Sequence, residues 1–274
     1  MEKISTIVLF LVVSICFGQN KSQDVHLQYG TDKQQNLDLY LPATIDAKTP
    51  VIILLHGGAW MMGGNEYTAK HAGDLRDRGF VVANVDYRYV SKDVYFIDLL
   101  TDIESAMDYL YQNADKYHYA KAGYHLVGIS AGAHLALLYG YTTVKKVKSI
   151  TALCAPSRLD SEEALRFIEK NGLLHNIEWL ANASYPGKGK PGKAFTTISP
   201  YSQIENIPTL LIHGTKDTLV PYQQSVDLLA LLQRKKVDSR LITMEGKRHD
   251  VGMNQQDSEK IVLDAIVDWI NTHQ

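Results

Sequence analysis

The sequence predicts an α/β fold, a mostly parallel sheet of about eight strands with helices on both faces. Short β-rich runs alternate with longer helical stretches along its 274 residues, the order expected when each strand is followed by a crossover helix. Residues 51–55 (VIILL) and 80–85 (FVVANV) are apolar runs of the kind found in strands covered on both faces. The helical stretches space their apolar residues near 3.6, and no internal repeat is visible.

Residues 25–29 and 37–41 alternate apolar and polar side chains and read as an opening antiparallel pair. Strands follow at 51–55, 80–85, 124–129, 149–154, 209–212 and 240–244. Between them the spacing predicts amphipathic helices over 66–78, 95–113, 131–141, 222–234 and 258–271. The helix from Tyr95 places Ile97, Leu100, Thr101, Glu104, Ala106, Met107, Leu110 and Tyr111 along one broad side, suited to packing on a sheet. Residues 157–200 break the alternation. Helical stretches at 162–170 and around 173–181 give way to Tyr185-Pro186-Gly187-Lys188-Gly189-Lys190-Pro191-Gly192-Lys193, which is loop composition. This reads as a small insertion over the C-terminal ends of the strands, where active sites of open α/β sheets lie. It is too small to be a separate domain, and too polar at its Lys/Gly-rich end to close an apolar tunnel, so a shallow pocket is expected.

Apolar residues make up 45% and charged residues 21%, ordinary globular values, and the formal net charge is −2. Lys145-Lys146-Val147-Lys148 is a solvated turn before a strand, and no basic run suggests nucleic-acid binding. Met1-Glu2-Lys3 precedes an apolar run from Ile4 to Cys16, the length of a signal-peptide core and too short for a membrane span. Cleavage after Gly18 is expected, leaving residues 19–274 as one secreted or periplasmic domain. A lipid anchor at Cys16 is disfavoured by the bulky Ile15. Cys154 is then the one remaining cysteine, so no intramolecular disulfide is expected. It ends an apolar run and reads as a small buried hydrophobe. No spacing of His and acidic residues suggests a metal site, and no cofactor is expected.

Gly128-Ile129-Ser130-Ala131-Gly132 matches G-x-S-x-G between an apolar strand and a helix. The glycines permit a sharp turn, and the helix N-terminus favours developing negative charge beside the Ser130 hydroxyl. His56-Gly57-Gly58-Ala59-Trp60 directly follows another strand. Its glycines let backbone N–H groups approach an oxyanion, so Gly58 and Ala59, with Ala131, are the candidate donors. His56 reads as structural, and Trp60 as a residue lining the substrate pocket. An acid and a base follow the serine in chain order at such sites. Asp217 lies just past the strand at 209–212, and His249 just past that at 240–244. His249 can accept the serine proton while Asp217 holds its ring in the required tautomer. Asp250 is adjacent to His249 and poorly placed to reach its ring. His213 reads as a satisfied strand-end histidine, and Asp86-Tyr87-Arg88 as a hydrogen-bonded tie between loops.

With these residues in order, the chain resembles the α/β-hydrolase superfamily. Within it, the chain is similar to cap-poor esterases of the hormone-sensitive-lipase-like and bacterial feruloyl and acetylxylan esterase-like groups. The motifs at 56–60, 86–89, 128–132, 213–217 and 248–249 carry the resemblance across nearly the whole sequence after residue 18. Ile129 stands where hormone-sensitive-lipase-like esterases have an acidic residue, and no N-terminal cap is read. Arylformamidases share His-Gly-Gly-x-Trp but are usually intracellular, at odds with the apolar leader. The resemblance implies an exported serine esterase acting on a small-molecule or oligosaccharide ester, short acyl groups such as acetyl, or feruloyl, being the expected ones. A prolyl-oligopeptidase-like peptidase and a non-catalytic binding protein on the same fold are the alternatives. The first would normally carry a gating domain for which there is no room, and the second should have lost a member of the Ser-Asp-His set.

Overall fold

The computed structural model describes residues 22–274; the leader expected over 1–18, with Cys16, lies outside the described residues. Eight strands form one sheet: β1 (Gln23–Gln28), β2 (Asn36–Leu41), β3 (Val51–Leu55), β4 (Val81–Val85), β5 (Tyr124–Ile129), β6 (Val147–Leu153), β7 (Thr209–Gly214) and β8 (Ser239–Met244). Their order is β1-β2-β4-β3-β5-β6-β7-β8. β1 pairs antiparallel with β2 and β2 antiparallel with β4, while the remaining neighbours are parallel. The fully apolar β3 is buried along its length, as is β4, whereas edge strand β1 alternates toward solvent. Pleating sends alternate residues to opposite faces. Ile53, Leu55, Leu126 and Ile150 join one core, and Ile52, Leu54, Val127 and Leu153 the other.

Helices α1 (Ala69–Arg76) and α8 (Gln256–Thr272) cover the second core. Helices α2 (Phe96–Tyr117), α3 (Ala131–Thr142) and α7 (Gln223–Arg234) cover the first. Three expectations about these helices change. The stretch 66–78 is not one helix: a 3-10 turn (Asn65–Tyr67) precedes α1. There the Asn65 N–H bonds the Asp86 carboxylate at 2.5 Å, and the Thr68 hydroxyl bonds the Asn84 side chain at 2.7 Å, pinning a tighter turn. Helix α2 runs one turn further than expected, to a left-handed His118, and buries Leu99, Ile103, Ala106, Leu110 and Ala114. Ile97 and Tyr111, expected inward, are about half exposed. Helix α3 is buried on every side rather than amphipathic. Sheet strands lie on one side of it, and α2 and the turn Pro200–Ser202 also pack on it, so no solvent face is left.

Between β6 and β7, residues 157–200 hold α4 (Glu162–Lys170), α5 (Leu174–Ala181) and α6 (Lys193–Thr197). Helix α4 is capped by Ser161, whose hydroxyl accepts the Ala164 N–H at 3.1 Å. Leu165, Ile168, Ile177, Leu180 and Phe195 bury into the first core, so the insertion is fastened by apolar packing. Each such side chain fully buried contributes about 1.5–3 kcal/mol. The chain leaves β3 toward β4 on one side and leaves β5 toward β6 on the other. That reversal opens a crevice at the C-terminal ends of β3 and β5.

Candidate active site

Ser130 stands at the tip of that crevice, between β5 and α3, at φ 54° and ψ −116°. This left-handed backbone is strained for a residue with a Cβ. Its N–H bonds Leu153 O at 2.8 Å. The flanking glycines are sterically required: a Cβ on Gly128 would lie 2.2 Å from Gly132 O, and one on Gly132 would lie 2.2 Å from Leu55 O.

The loop after β3 packs directly on this turn. A Cβ on Gly57 would sit 3.3 Å from the Ser130 Cβ. Among the described residues the Gly58 and Ala59 N–H groups donate to no backbone or side-chain acceptor. The Ala131 N–H, first in α3, has no acceptor within its own helix. His56 is buried and structural: its Nδ1–H donates to Gly57 O at 2.6 Å, its ring stacks on Tyr87, and its Nε2 lies 3.6 Å from Asp86 Oδ1. Burial holds its pKa below the ordinary histidine value. Burial also pushes the Asp86 carboxyl up to about 6, against the hydrogen bond it accepts from Asn65. Tyr87 donates its hydroxyl to His56 O at 2.6 Å, and Arg88 forks onto the buried Asp102 at 2.8–3.1 Å. The Asp86-Tyr87-Arg88 segment therefore ties loops together.

Asp217 and His249 come to Ser130 from loops after β7 and β8. His249 Nε2 lies 2.8 Å from Ser130 Oγ, and its Nδ1 lies 2.6 Å from Asp217 Oδ2. Asp217 Oδ1 accepts the Leu219 and Val220 N–H groups at 2.8 and 2.9 Å. Burial pushes the Asp217 carboxyl up, but hydrogen bonds from His213 and His249 outweigh it and hold it well below the usual range. Since Asp217 accepts, His249 carries its proton on Nδ1 and leaves Nε2 free for the serine hydroxyl. Asp250 turns away: its carboxylate accepts the Gly252 N–H at 3.1 Å.

His213 does more than end a strand. Its Nε2 faces two acceptors, Asp217 Oδ2 at 3.1 Å and Val220 O at 3.0 Å, so that nitrogen bears the proton and Nδ1 accepts from Ser225 at 2.7 Å. The separation of four residues between His213 and Asp217 was visible in the sequence, but their facing required the turn after β7. Cys154 is buried near the same pair, and burial, together with the Asp217 charge, pushes its thiol well up.

Beside Ser130 and His249 opens an apolar cavity of about 610 Å³. Trp60 and Pro156 line it, and the insertion contributes Ile168, Leu173 and Ile177; Met62, Tyr67 and Leu219 form an exposed rim. The insertion thus builds a wall where a shallow pocket was expected, because the apolar sides of α4 and α5, not the Lys/Gly-rich end, face inward. Trp60 lines the cavity yet is only 4% exposed, its indole N–H bonded to His134 Nδ1 at 3.2 Å. His134 in turn donates from Nε2 to Ile198 O at 2.7 Å, and burial lowers its pKa to about 4.

A serine on a strand–turn–helix elbow, a histidine and a carboxylate hydrogen-bonded in series, and this strand order define a protein of the α/β-hydrolase fold with a complete Ser-His-Asp site. Comparison with known proteins narrows the class. The chain belongs to the BD-FAE family, whose model matches residues 37–232. It is 26% identical over 236 residues to a probable isoprenylcysteine alpha-carbonyl methylesterase of Oryza sativa, covering 81% of this chain and 56% of that protein. It is 25% identical to the corresponding enzyme of Arabidopsis thaliana, covering 88% and 59%. The chain thus spans little more than half the length of these relatives. A truncated carbohydrate esterase from gut microbiota superposes with TM-score 0.74 at 20% identity, covering 92% of this chain and 97% of that one, a likeness of fold.

Proposed function

We propose that this chain is an exported carboxylic-ester hydrolase working through an acyl-serine intermediate. The observation that carries the reading is the unbroken series Ser130 Oγ–His249–Asp217 on the wall of an apolar cavity. Ser130 Oγ attacks the ester carbonyl carbon while its proton passes to His249 Nε2. The carbonyl oxygen becomes an oxyanion received by the free N–H groups of Gly58, Ala59 and Ala131. Collapse breaks the ester C–O bond, and the imidazolium returns the proton to the leaving alkoxide. Water, giving a proton to the same nitrogen, then attacks the acyl carbon; the Ser130 Oγ–carbon bond breaks, the imidazolium returns the proton to Ser130 Oγ, and the acid leaves. Asp217 stabilises the imidazolium at each stage.

Export rests on the apolar leader read in the sequence. The proposed substrates are short-chain esters, with acetyl or feruloyl esters of carbohydrates foremost; the carbohydrate esterase of like fold supports the alcohol half. An apolar volume of about 610 Å³ is more than acetyl needs and falls in the range that encloses small ligands, so it favours the aromatic acyl group. The test is a panel of p-nitrophenyl acetate, butyrate and decanoate, acetylated xylan, methyl ferulate and a Gly-Pro amide, with wild type and Ser130→Ala. Ester turnover lost in Ser130→Ala, together with loss of fluorophosphonate labelling, is expected. Amide turnover exceeding ester turnover would replace this reading with a peptidase.

A further inference from the structure

The loop that presents the Gly58 and Ala59 N–H groups is held in an unfavourable backbone conformation. Ala59 and Trp60 are consecutive non-glycine residues at φ 50° and 61°. Residues with a Cβ stay in this left-handed region only where neighbours over-determine it. The orientation of each peptide plane can be traced through its carbonyl. Gly57 O accepts from His56 Nδ1, and Gly58 O accepts the Met61 and Met62 N–H groups, all within the loop. Trp60 O accepts the Val90 N–H at 2.9 Å, from the segment after β4. The plane joining Ala59 to Trp60 is held differently. Among the described residues, Ala59 O has one partner, the Asn176 side-chain amide at 3.0 Å, on α5 of the insertion.

We propose that Asn176 is a positioning residue for the oxyanion loop, clamping the Ala59–Trp60 peptide so that the preceding N–H groups stay aimed at the reaction centre. This rests on the esterase reading above. The next residue, Ile177, is buried and lines the cavity, so the packing that seats α5 also fixes where the Asn176 amide hangs. The insertion therefore completes the catalytic loop as well as walling the pocket. A residue that merely fastened the insertion would affect melting temperature and KM. A clamp on the oxyanion loop affects kcat, because the hole is used most strongly in the transition state.

The test compares wild type, Asn176→Ala and Asn176→Asp on p-nitrophenyl butyrate and with a fluorophosphonate. Removing a whole oxyanion donor lowers kcat by about 10²–10³-fold. Removing one neutral hydrogen bond behind it should lower kcat by about 3- to 10-fold. KM should stay within about twofold, since a clamp acts on the transition state more than on bound substrate. Asn176→Asp keeps the shape but sets a carboxylate against the Ala59 carbonyl, so its kcat should fall below that of the alanine variant. Fluorophosphonate inactivation rates should fall in the same order. Near-ultraviolet circular dichroism verifies folding; if the alanine variant is unfolded, the near-isosteric aspartate variant decides. Unchanged kcat and inactivation rate in folded variants, or a loss confined to KM or melting temperature, would overturn the proposal. A wild type that labels at Ser130 but turns over no ester would refute the substrate reading alone, with inactivation rates still deciding the clamp. A wild type that does neither removes the oxyanion hole, and the proposal with it.

Discussion

Replacing Asp217 by Asn should disable the site through a proton in the wrong place. The carboxylate accepts from four groups: Leu219 and Val220 N–H at Oδ1, and His249 Nδ1 and His213 Nε2 at Oδ2. An asparagine oxygen satisfies only one side. If it faces the two backbone N–H groups, its NH₂ faces His249 Nδ1 and donates there, which drives the histidine proton to Nε2. Nε2 then points a hydrogen at Ser130 and cannot accept the serine proton. If the amide flips, its NH₂ confronts two backbone donors, each a buried group left unsatisfied at about 1–3 kcal/mol. The first arrangement wins, and kcat should fall by about 10⁴-fold, the size seen when the same substitution forces this tautomer in a serine protease triad. Turnover of p-nitrophenyl butyrate at pH 7–8 measures it. Asp250→Asn, whose carboxylate accepts only the Gly252 N–H among the described residues, should keep kcat within a few-fold. A loss under about tenfold for Asp217→Asn, or a larger loss at Asp250, would refute the reasoning.

The depressed Asp217 carboxyl contributes stability that is present above the unfolded value of about 3.9 and lost as pH falls below it, so Asp217→Asn should flatten the acid limb of a urea-midpoint profile. Asp86 has the opposite sign. Its folded value near 6 means that it contributes stability below about pH 4 that is lost as pH rises to 6, so the wild-type minus Asp86→Asn difference should fall over that window by on the order of 2–3 kcal/mol. Gly132→Ala should cost at least about 2 kcal/mol or prevent soluble expression, because its Cβ would meet the Leu55 and His56 carbonyls at 2.2 and 2.4 Å. Trp60→Ala should lower stability by about 3–5 kcal/mol in addition to altering acyl preference, since it empties a buried site and strands His134 Nδ1. An unchanged thermal midpoint would show that the indole serves the substrate alone.

Strand content and the elbow were readable from sequence because both depend on neighbours in the chain. The VIILL run of β3 has no polar face to turn to water, and Gly128 and Gly132 bracket Ser130 within five residues. Asp217 and His249 were also legible, each just beyond a strand that ends on the same edge of a parallel sheet. What tertiary structure decided depends on distant pairs. Helix α2 carries apolar residues around much of its circumference, so spacing alone did not select Leu99, Ile103 and Ala114 over Ile97 and Tyr111; the sheet surface did. Helix α3 looked amphipathic until α2 and residues 200–202 covered its remaining sides. His213 became a support for Asp217 only when the turn after β7 faced one toward the other. The oxyanion loop shows the limit most clearly. Its glycines announce close approach, but the left-handed Ala59 and Trp60 meet Asn176 at the Ala59 carbonyl and His134 at the Trp60 indole, 117 and 74 positions away. No local pattern encodes that pairing, because strain in one loop is balanced by side chains that the fold alone brings to it.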